Sequence, residues 1–181
     1  MTPTEARAIL AEADLLCSEQ ESALAVRRVA AEITARLADA NPLVLAVMGG
    51  AVVFTGQLLP QLAFPLDFDY LHVTRYGDVT VGGSLSWLVE PRLPVAARTV
   101  LVVDDILDEG VTMAAIVQRL REQGAQEVLS AVFAEKELGR AKPIAADFVG
   151  LHLPNRYVFG YGMDVKGAWR NLPAVYAVKG M

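Results

Sequence analysis

One segment near the middle of the chain constrains its fold more than any other. Residues Val100 to Thr112 read VLVVDDILDEGVT, which is a run of four apolar residues, two acids, two apolar residues and a polar turn. A short apolar run of this kind is typical of a strand buried on both faces, as in a parallel sheet. Ligand sites in such sheets lie at the carboxyl ends of the strands, which makes Asp104 and Asp105 candidate site residues.

Similar apolar runs alternate with helical patterns along the rest of the chain. The patterns predict strands over residues 43–48, 68–74, 99–103, 128–133, 148–151 and 175–178. They predict helices over residues 4–16, about 19–39, 52–62 and 112–123, with a capping box at 18–21 and with Pro60 loosening the end of the third. The alternation predicts one α/β domain spanning residues 1–181, with a mainly parallel sheet flanked by helices.

The composition excludes several classes of protein. Hydrophobic residues make up 54% of the 181 residues and charged residues only 20%, which favours a large buried core and excludes a disordered or collagen-like chain. The formal net charge of −5 argues against binding to nucleic acid or to acidic membranes, since both attract basic surfaces. A single cysteine, Cys17, allows no intramolecular disulfide, and we expect it to be buried on a helix.

Two further patterns bear on location. Residues 41–66 carry no charge, but glycine, proline and glutamine residues interrupt them, so they do not predict a membrane span. The acidic residues near the N-terminus do not match the pattern of a signal peptide. We therefore expect a cytoplasmic protein.

The turn after the acidic pair has the features of a phosphate site. A turn that opens a helix exposes several backbone N–H groups, Gly110 permits close approach of a ligand, and Thr112 supplies a hydroxyl. The acidic pair would instead suit the hydroxyl groups of a sugar or a magnesium ion. The simpler alternative is a solvated acidic turn that caps a helix.

Five segments in order resemble those of one known family. VLVVDDILDEGVT resembles the phosphoribosyl-pyrophosphate loop of the purine phosphoribosyltransferases, specifically the hypoxanthine-guanine type. The other four are the turn Met48-Gly49-Gly50-Ala51, the lid-like Arg75-Tyr76-Gly77 followed by Gly82-Gly83, Lys136 eleven residues before Asp147-Phe148-Val149-Gly150, and residues 156–164 with 169–172. The similarity extends from about residue 44 to residue 178. It implies a type I phosphoribosyltransferase core over about residues 43–135, N-terminal helices within 3–39, and a purine pocket and small hood formed by about 136–181.

The resemblance implies transfer of a ribose phosphate from phosphoribosyl pyrophosphate to a 6-oxopurine, with Mg²⁺ and with release of pyrophosphate. Asp104 and Asp105 would bind the ribose hydroxyls, and Asp108 would be the catalytic proton partner of the purine. The backbone of the turn would hold the 5′-phosphate, through the residues Glu109, Gly110, Val111 and Thr112. We expect the Glu109 side chain to point outward, because a carboxylate would repel the phosphate.

The pyrophosphate and purine ends of the site follow from the same resemblance. The turn Met48, Gly49 and Gly50, with a cis peptide bond between the first two, would bind pyrophosphate together with Arg170 and the lid residues Arg75 and Tyr76. Lys136 would donate to the 6-oxo group and Tyr157 would stack on the purine. The backbone of Val158 would contact the purine edge, and Asp164 would bind a second amine. The metal ligands would be Asp104, Asp105 and Asp164.

Each assignment has a simpler explanation when it is taken alone. Lys136 could be a solvated surface charge, Tyr157 a core aromatic and Arg170 a cation–π partner of Trp169. We assign both histidines, which fall in strand-like stretches, to structure.

Three other functions compete. The first is an enzyme that accepts xanthine, and the second is a non-catalytic, nucleotide-binding regulator of the same fold. The third is a receiver-like signalling module with two acids at a strand end. We expect small-molecule partners, no nucleic acid or membrane, and a homodimer or homotetramer, because the apolar excess suggests a subunit interface.

Overall fold

The computed structural model describes residues 1–75 and 85–180, and in these residues the chain forms two β-sheets with helices around them. The helices are α1 (Pro3–Glu12), α2 (Glu19–Leu37), α3 (Val52–Leu58) and α4 (Val111–Glu122), with a 3-10 turn at Leu59–Gln61. The strands are β1 (Asp14–Cys17), β2 (Leu43–Met48), β3 (Asp67–Arg75), β4 (Leu85–Val89), β5 (Thr99–Leu107), β6 (Glu127–Glu137), β7 (Phe148–Pro154), β8 (Val158–Phe159) and β9 (Val175–Ala177).

The larger sheet has six strands in the order β4-β3-β2-β5-β6-β7. Neighbouring strands are parallel except β3 and β4, which are antiparallel. The predicted α/β class with a mainly parallel sheet is therefore confirmed. The sheet extends beyond the expected core of about residues 43–135, because its last strand, β7, ends at Pro154. Strand β4 was not predicted from the sequence patterns.

Burial on both faces explains why the central strands are almost wholly apolar. In β2, Val44 lies in the hydrophobic cluster that includes α2 and α3, whereas Leu43 and Leu45 lie in the cluster that includes α4. Successive side chains of a strand point to opposite faces, so both faces need apolar residues at adjacent positions. The result is a three-layer domain in which β2 and β5 occupy the centre of the sheet.

A smaller antiparallel sheet joins the two ends of the chain. Its order is β1-β9-β8, and Asp14 of β1 pairs with Ala177 of β9. This corrects the predicted helix over residues 4–16, which ends at Glu12 because Ala13 adopts an extended backbone. Cys17 is buried as expected but lies on this strand rather than on a helix. The predicted strand at 175–178 also forms, but in this sheet and not in the parallel one.

Local signals place the helix ends. Capping boxes at Thr2/Glu5 and Ser18/Glu21 open α1 and α2, the second as predicted. The charge-free residues 41–66 form β2, α3 and the 3-10 turn that contains Pro60. No helix in residues 1–75 or 85–180 has both the length and the apolar character needed to cross a bilayer.

Candidate active site

Strand β5 brings the two adjacent acids into the site. Asp104 and Asp105 lie within this strand, which continues to Leu107 because Ile106 and Leu107 stay in register with β6. The prediction that the strand ends at Val103 is therefore wrong. The two residues line different cavities, and the backbone N–H of Asp105 donates to Oδ1 of Asp104 at 2.9 Å.

Both carboxylates are held in surroundings that disfavour their charge. Burial raises the pKa of Asp104 well above its ordinary value, and the charge of Asp105 adds to this effect. Burial also raises the pKa of Asp105, against smaller opposing effects, first of a side-chain hydrogen bond with Asp104, then of a backbone hydrogen bond from Ile106 and of the charge of Arg170. Buried acids of this kind gain when a cation or a hydroxyl donor reaches them.

Three segments of backbone meet at Asp105. A Cβ at Gly50, in the turn between β2 and α3, would lie only 2.1 Å from Oδ2 of Asp105. A Cβ at Gly162 would lie 2.1 Å from the carbonyl oxygen of Gly50, and the φ angle of Gly162 is +104°, so both crowding and backbone conformation require glycine there. The peptide bond between Met48 and Gly49 is cis, as the resemblance implies.

Arg170 links the C-terminal segment to this contact. Its Nη1 donates to the carbonyl oxygen of Gly162 at 2.6 Å and lies 3.9 Å from Oδ2 of Asp105. Its Nη2 forms an ion pair with Asp164, which also accepts a bond from the backbone N–H of Gly167 at 2.6 Å. Asp164 is thus paired with an arginine, and it lines the same cavity as Asp105.

A lysine at the end of β6 pairs with the acid that follows β5. The Nζ of Lys136 donates to Oδ2 of Asp108 at 2.8 Å, and the lysine side chain is only 12% exposed. The two residues meet in a cavity of about 230 Å³ that has Tyr157 and Arg170 on its other sides. The complete lining is Asp105, Ile106, Asp108, Lys136, Tyr157, Val158, Met163, Asp164 and Arg170.

A second cavity, of about 270 Å³, adjoins the first through Ile106 and Asp108. Its remaining lining comes from β5, the turn and the start of α4, and consists of Asp104, Leu107, Glu109, Gly110, Thr112 and Met113. Gly110 precedes α4 with a φ angle of +78°, and it has no side chain to cap the first N–H groups of the helix. Those groups and the helix dipole favour an anion. The Glu109 carboxylate pairs with Arg140 at the surface, which is the outward orientation that we expected.

Comparison with known proteins identifies the family. A family model described as a phosphoribosyl transferase domain matches residues 13–166. The chain belongs to this family. It is 33% identical over 166 residues to a hypoxanthine-guanine phosphoribosyltransferase of Bacillus subtilis, covering 91% of this chain and 92% of that protein.

Two further similarities cover most of the phosphoribosyltransferase chain. A hypoxanthine-guanine-xanthine phosphoribosyltransferase of Tritrichomonas foetus is 34% identical over 155 residues, which are 85% of each protein. A solved hypoxanthine phosphoribosyltransferase from Trypanosoma cruzi, described as a ternary substrates complex, has a TM-score of 0.85 and 28% identity. It covers 93% of this chain and 97% of that one.

Most of the candidate residues of this phosphoribosyltransferase lie around the two joined cavities. Arg75 ends β3, whereas Tyr76 and the rest of the predicted lid to residue 84 lie outside the described residues. His72 and His152 lie in β3 and β7, as expected for structural residues. Within residues 1–75 and 85–180, no group of three or more His, Cys, Asp or Glu side chains is placed to hold a metal ion.

The sequence patterns did not predict the residues that contact the end of β5, just before the turn of residues 108–112, from outside the two cavities. Lys142 reaches the carbonyl oxygen of Leu107 at 2.8 Å and Oε1 of Glu135 at 3.0 Å. A lysine in a loop carries no pattern that would distinguish such a contact from a solvated charge. Only the approach of the 138–146 segment to the phosphoribosyltransferase turn reveals it.

Proposed function

We propose that the protein is a purine salvage enzyme that transfers the 5-phosphoribosyl group of phosphoribosyl pyrophosphate to hypoxanthine and guanine. The products are IMP or GMP and pyrophosphate. The names of the relatives support this activity, and the pair formed by Lys136 and Asp108 supports the choice of base. The proposal treats residues 1–181 as one domain whose terminal segments form a hood over the site.

The Lys136–Asp108 pair matches one edge of a 6-oxopurine. On that edge, the 6-oxo oxygen accepts a hydrogen bond beside N7, which donates one when it is protonated. An ammonium group can only donate and an ionised carboxylate can only accept, so the 2.8 Å pair presents the complementary groups side by side. Adenine carries an amino donor in place of the oxygen, and Lys136 would leave that donor unpaired.

The rest of the first cavity suits the purine ring. Tyr157 is exposed at the mouth of the cavity, where its ring would stack on the flat face of the base. Val158 lines the same cavity, where its backbone would contact the purine edge. The Asp164 carboxylate would accept a bond from the second amine of guanine if it exchanged its contact with Arg170.

The second cavity suits the ribose 5-phosphate. The N–H groups of residues 108–112 would hold the phosphate at the start of α4, and Asp104 and Asp105 would accept bonds from the ribose hydroxyls. As N9 of the purine forms its bond to C1′ of the ribose, the bond from C1′ to pyrophosphate breaks. The proton on N7 would then pass to Asp108, and the presence of Asp108 in the linings of both cavities supports this role.

Pyrophosphate would leave on the side of Asp105. The turn of Met48, Gly49 and Gly50 approaches that residue and offers uncharged backbone donors, while Arg170 offers a planar cation. Arg75 and Tyr76 would complete this end as part of a lid. Stabilisation of the departing polyanion by such fixed donors is the main electrostatic contribution to catalysis in this proposal.

The donor set also fits a magnesium ion that is shared with the substrate. Mg²⁺ is commonly held by one or two carboxylates together with substrate phosphates and water. Asp104 and Asp105 would provide those carboxylates, and a nearby cation would offset the burial that raises their pKa values. Asp164 could contribute only by leaving Arg170. When bound, Mg²⁺ would neutralise part of the charge of the pyrophosphate.

The proposal includes a cytoplasmic location and a homodimer or homotetramer. The oligomer is supported by large apolar side chains that are exposed in the single chain, among them Leu24, Val52, Phe68 and Leu88. Size-exclusion chromatography with light scattering measures the mass in solution, and a mass of one chain would contradict the oligomer.

One assay tests the activity directly. The purified protein is given phosphoribosyl pyrophosphate, Mg²⁺ and one of hypoxanthine, guanine, xanthine or adenine, and the nucleotide formed is measured. We expect turnover of hypoxanthine and guanine. Xanthine is the second candidate substrate, because one relative is named for it. Absence of turnover with every oxopurine would refute the enzyme, and preference for adenine would refute the role of Lys136.

A further inference from the structure

A lysine outside the two cavities, whose side chain is largely buried, contacts one end of the phosphate-binding turn and lies beside the other. The Nζ of Lys142 donates to the carbonyl oxygen of Leu107, the last residue of β5, at 2.8 Å. Lys142 and Pro143 also bound the space beside Gly110, because a Cβ built there would lie 3.4 Å from Cβ of Lys142 and 3.4 Å from Cδ of Pro143. Only Asp108 and Glu109 separate Leu107 from Gly110 in the chain.

A carboxylate on the neighbouring strand compensates the charge of this lysine. Oε1 of Glu135 on β6 lies 3.0 Å from Nζ of Lys142, whose side chain is only 8% exposed. Glu135 is the register partner of Leu107 and directly precedes Lys136. The ammonium group of Lys142 therefore connects the end of β5 to the part of β6 that carries Lys136, which contacts the purine in the proposed function.

The pair is better explained by geometry than by stability. Removing a lysine and a glutamate from water costs free energy that their attraction only partly returns, and an apolar pair of similar volume would often be no less stable. A charge-assisted bond to a backbone carbonyl, however, determines where that carbonyl and the next residue lie. The residue after Leu107 is Asp108.

Lys142 does not line either cavity of the site. Among the described residues, those that line the two cavities include neither Lys142 nor Glu135. We therefore expect any effect of Lys142 on the reaction to be indirect, through the turn beside it or through Glu135, which directly precedes Lys136.

We propose that Lys142 is a positioning residue, which holds the turn of residues 108–112 in the geometry that binds the 5′-phosphate by its bond to the Leu107 carbonyl and its position beside Gly110. This inference rests on the proposed function, because the turn is assigned to the phosphate there. It predicts that loss of the ammonium group weakens binding of phosphoribosyl pyrophosphate much more than binding of the purine.

The test uses Lys142→Met, which keeps most of the side-chain length but has no donor, and Lys179→Met, which makes the same change at an exposed lysine. Steady-state kinetics give the KM of each substrate. We expect K142M to raise the KM for phosphoribosyl pyrophosphate by about 10–100-fold, the worth of a hydrogen bond from a charged group, with a much smaller change in the KM for hypoxanthine. Lys142→Arg, which keeps a charged donor, should recover part of the loss, and K179M should resemble the wild type. An unchanged KM for phosphoribosyl pyrophosphate, or equal increases in both KM values, would overturn the proposal.

Two further measurements keep the test decisive. If K142M does not fold, Glu135→Gln weakens the hold on Lys142 and should produce the same selective rise in KM on a smaller scale. Amide hydrogen exchange over residues 107–112 does not depend on turnover, and K142M should exchange faster there than K179M. Equal exchange would overturn the positioning role, whereas a wild type without turnover would refute the proposed function alone.

Discussion

Gly50 lies so close to Asp105 that one added methyl group would test the arrangement of the whole site. In Gly50→Ala, the new Cβ would lie 2.1 Å from Oδ2 and 2.5 Å from Cγ of Asp105. Such contacts essentially never fall below 3.0 Å, so the carboxylate would have to retreat by about 1 Å.

The surroundings of Asp105 make this retreat costly. The Asp105 side chain is only 13% exposed, and Arg170 lies on one side of it. Overpacking of a dense region costs about 1–3 kcal/mol, and a displacement of about 1 Å in a group that orients substrate can reduce a rate about 100-fold. We therefore expect G50A to fold, to lose about 1–3 kcal/mol in free energy of unfolding, and to lose about 100-fold in kcat/KM for phosphoribosyl pyrophosphate.

Gly56→Ala is the matched control, since a Cβ at Gly56 on α3 would meet nothing within 4 Å. Alanine in a helix is favoured over glycine by about 0.5–1 kcal/mol, so G56A should be at least as stable as the wild type and equally active. Urea unfolding gives the stability of both variants, and initial rates at varied phosphoribosyl pyrophosphate give kcat/KM. If G50A kept the kcat/KM of the wild type, the position of the Asp105 carboxylate could not matter to the reaction.

Three further substitutions each test the role of one side chain. Asp108→Asn should lower kcat by about 10–1,000-fold, because an amide cannot take the proton from N7, and an unchanged kcat would remove Asp108 from the mechanism. Lys136→Met should raise the KM for hypoxanthine by about 10–100-fold through loss of a charged donor, and a wild-type KM would show that the 6-oxo group binds elsewhere. Asp69 is 2% exposed, and burial opposes its ionisation. Hydrogen bonds from three backbone N–H groups outweigh this effect and lower its pKa, and the bond from Tyr70 has the largest effect of the three. Its ionised form therefore contributes stability above the ordinary aspartate pKa of about 4, and this contribution is lost as the pH falls through the lower pKa of the folded state. Asp69→Ala should lower the free energy of unfolding at neutral pH by about 1–3 kcal/mol, with a gap to the wild type that narrows in acid, and a gap independent of pH would contradict this account.

The main sheet could be predicted because its strands carry their own signal. A strand buried on both faces, such as Leu43–Met48, must be apolar at every position, and such a run is visible without knowing its neighbours. The small sheet offers such a signal only at residues 175–178. Its strands have two to four residues, and Asp14 finds its partner at Ala177, at the other end of the chain. An apolar Leu15-Leu16-Cys17 run next to a helix therefore looks like more helix.

The same distinction between local and non-local information applies to the site. The motif around Asp104 and Gly110 could be recognised because all of its residues are adjacent in the chain. The pairing of Lys136 with Asp108 could not be predicted, since those residues are brought together only by the register of β5 and β6. The extension of β5 to Leu107 has the same origin, because the strand continues as long as its neighbour pairs with it.

The net charge of −5 at first disfavours a ligand as acidic as phosphoribosyl pyrophosphate, and the site shows why whole-protein charge is the wrong scale. Each described cation near the two cavities is paired with a carboxylate of the protein, in the pairs Lys136–Asp108, Lys142–Glu135, Arg140–Glu109 and Arg170–Asp164. A substrate anion that approaches Arg170 must therefore compete with Asp164. At the start of α4, by contrast, the residue before the helix is Gly110, which has no side chain that could compete for the N–H groups. Binding then depends on exchange of partners at the cations and on fixed backbone dipoles at the turn. On this account the geometry of residues 108–112 matters more to affinity than any single positive charge, which is why a lysine that only supports that turn should affect the binding of phosphoribosyl pyrophosphate.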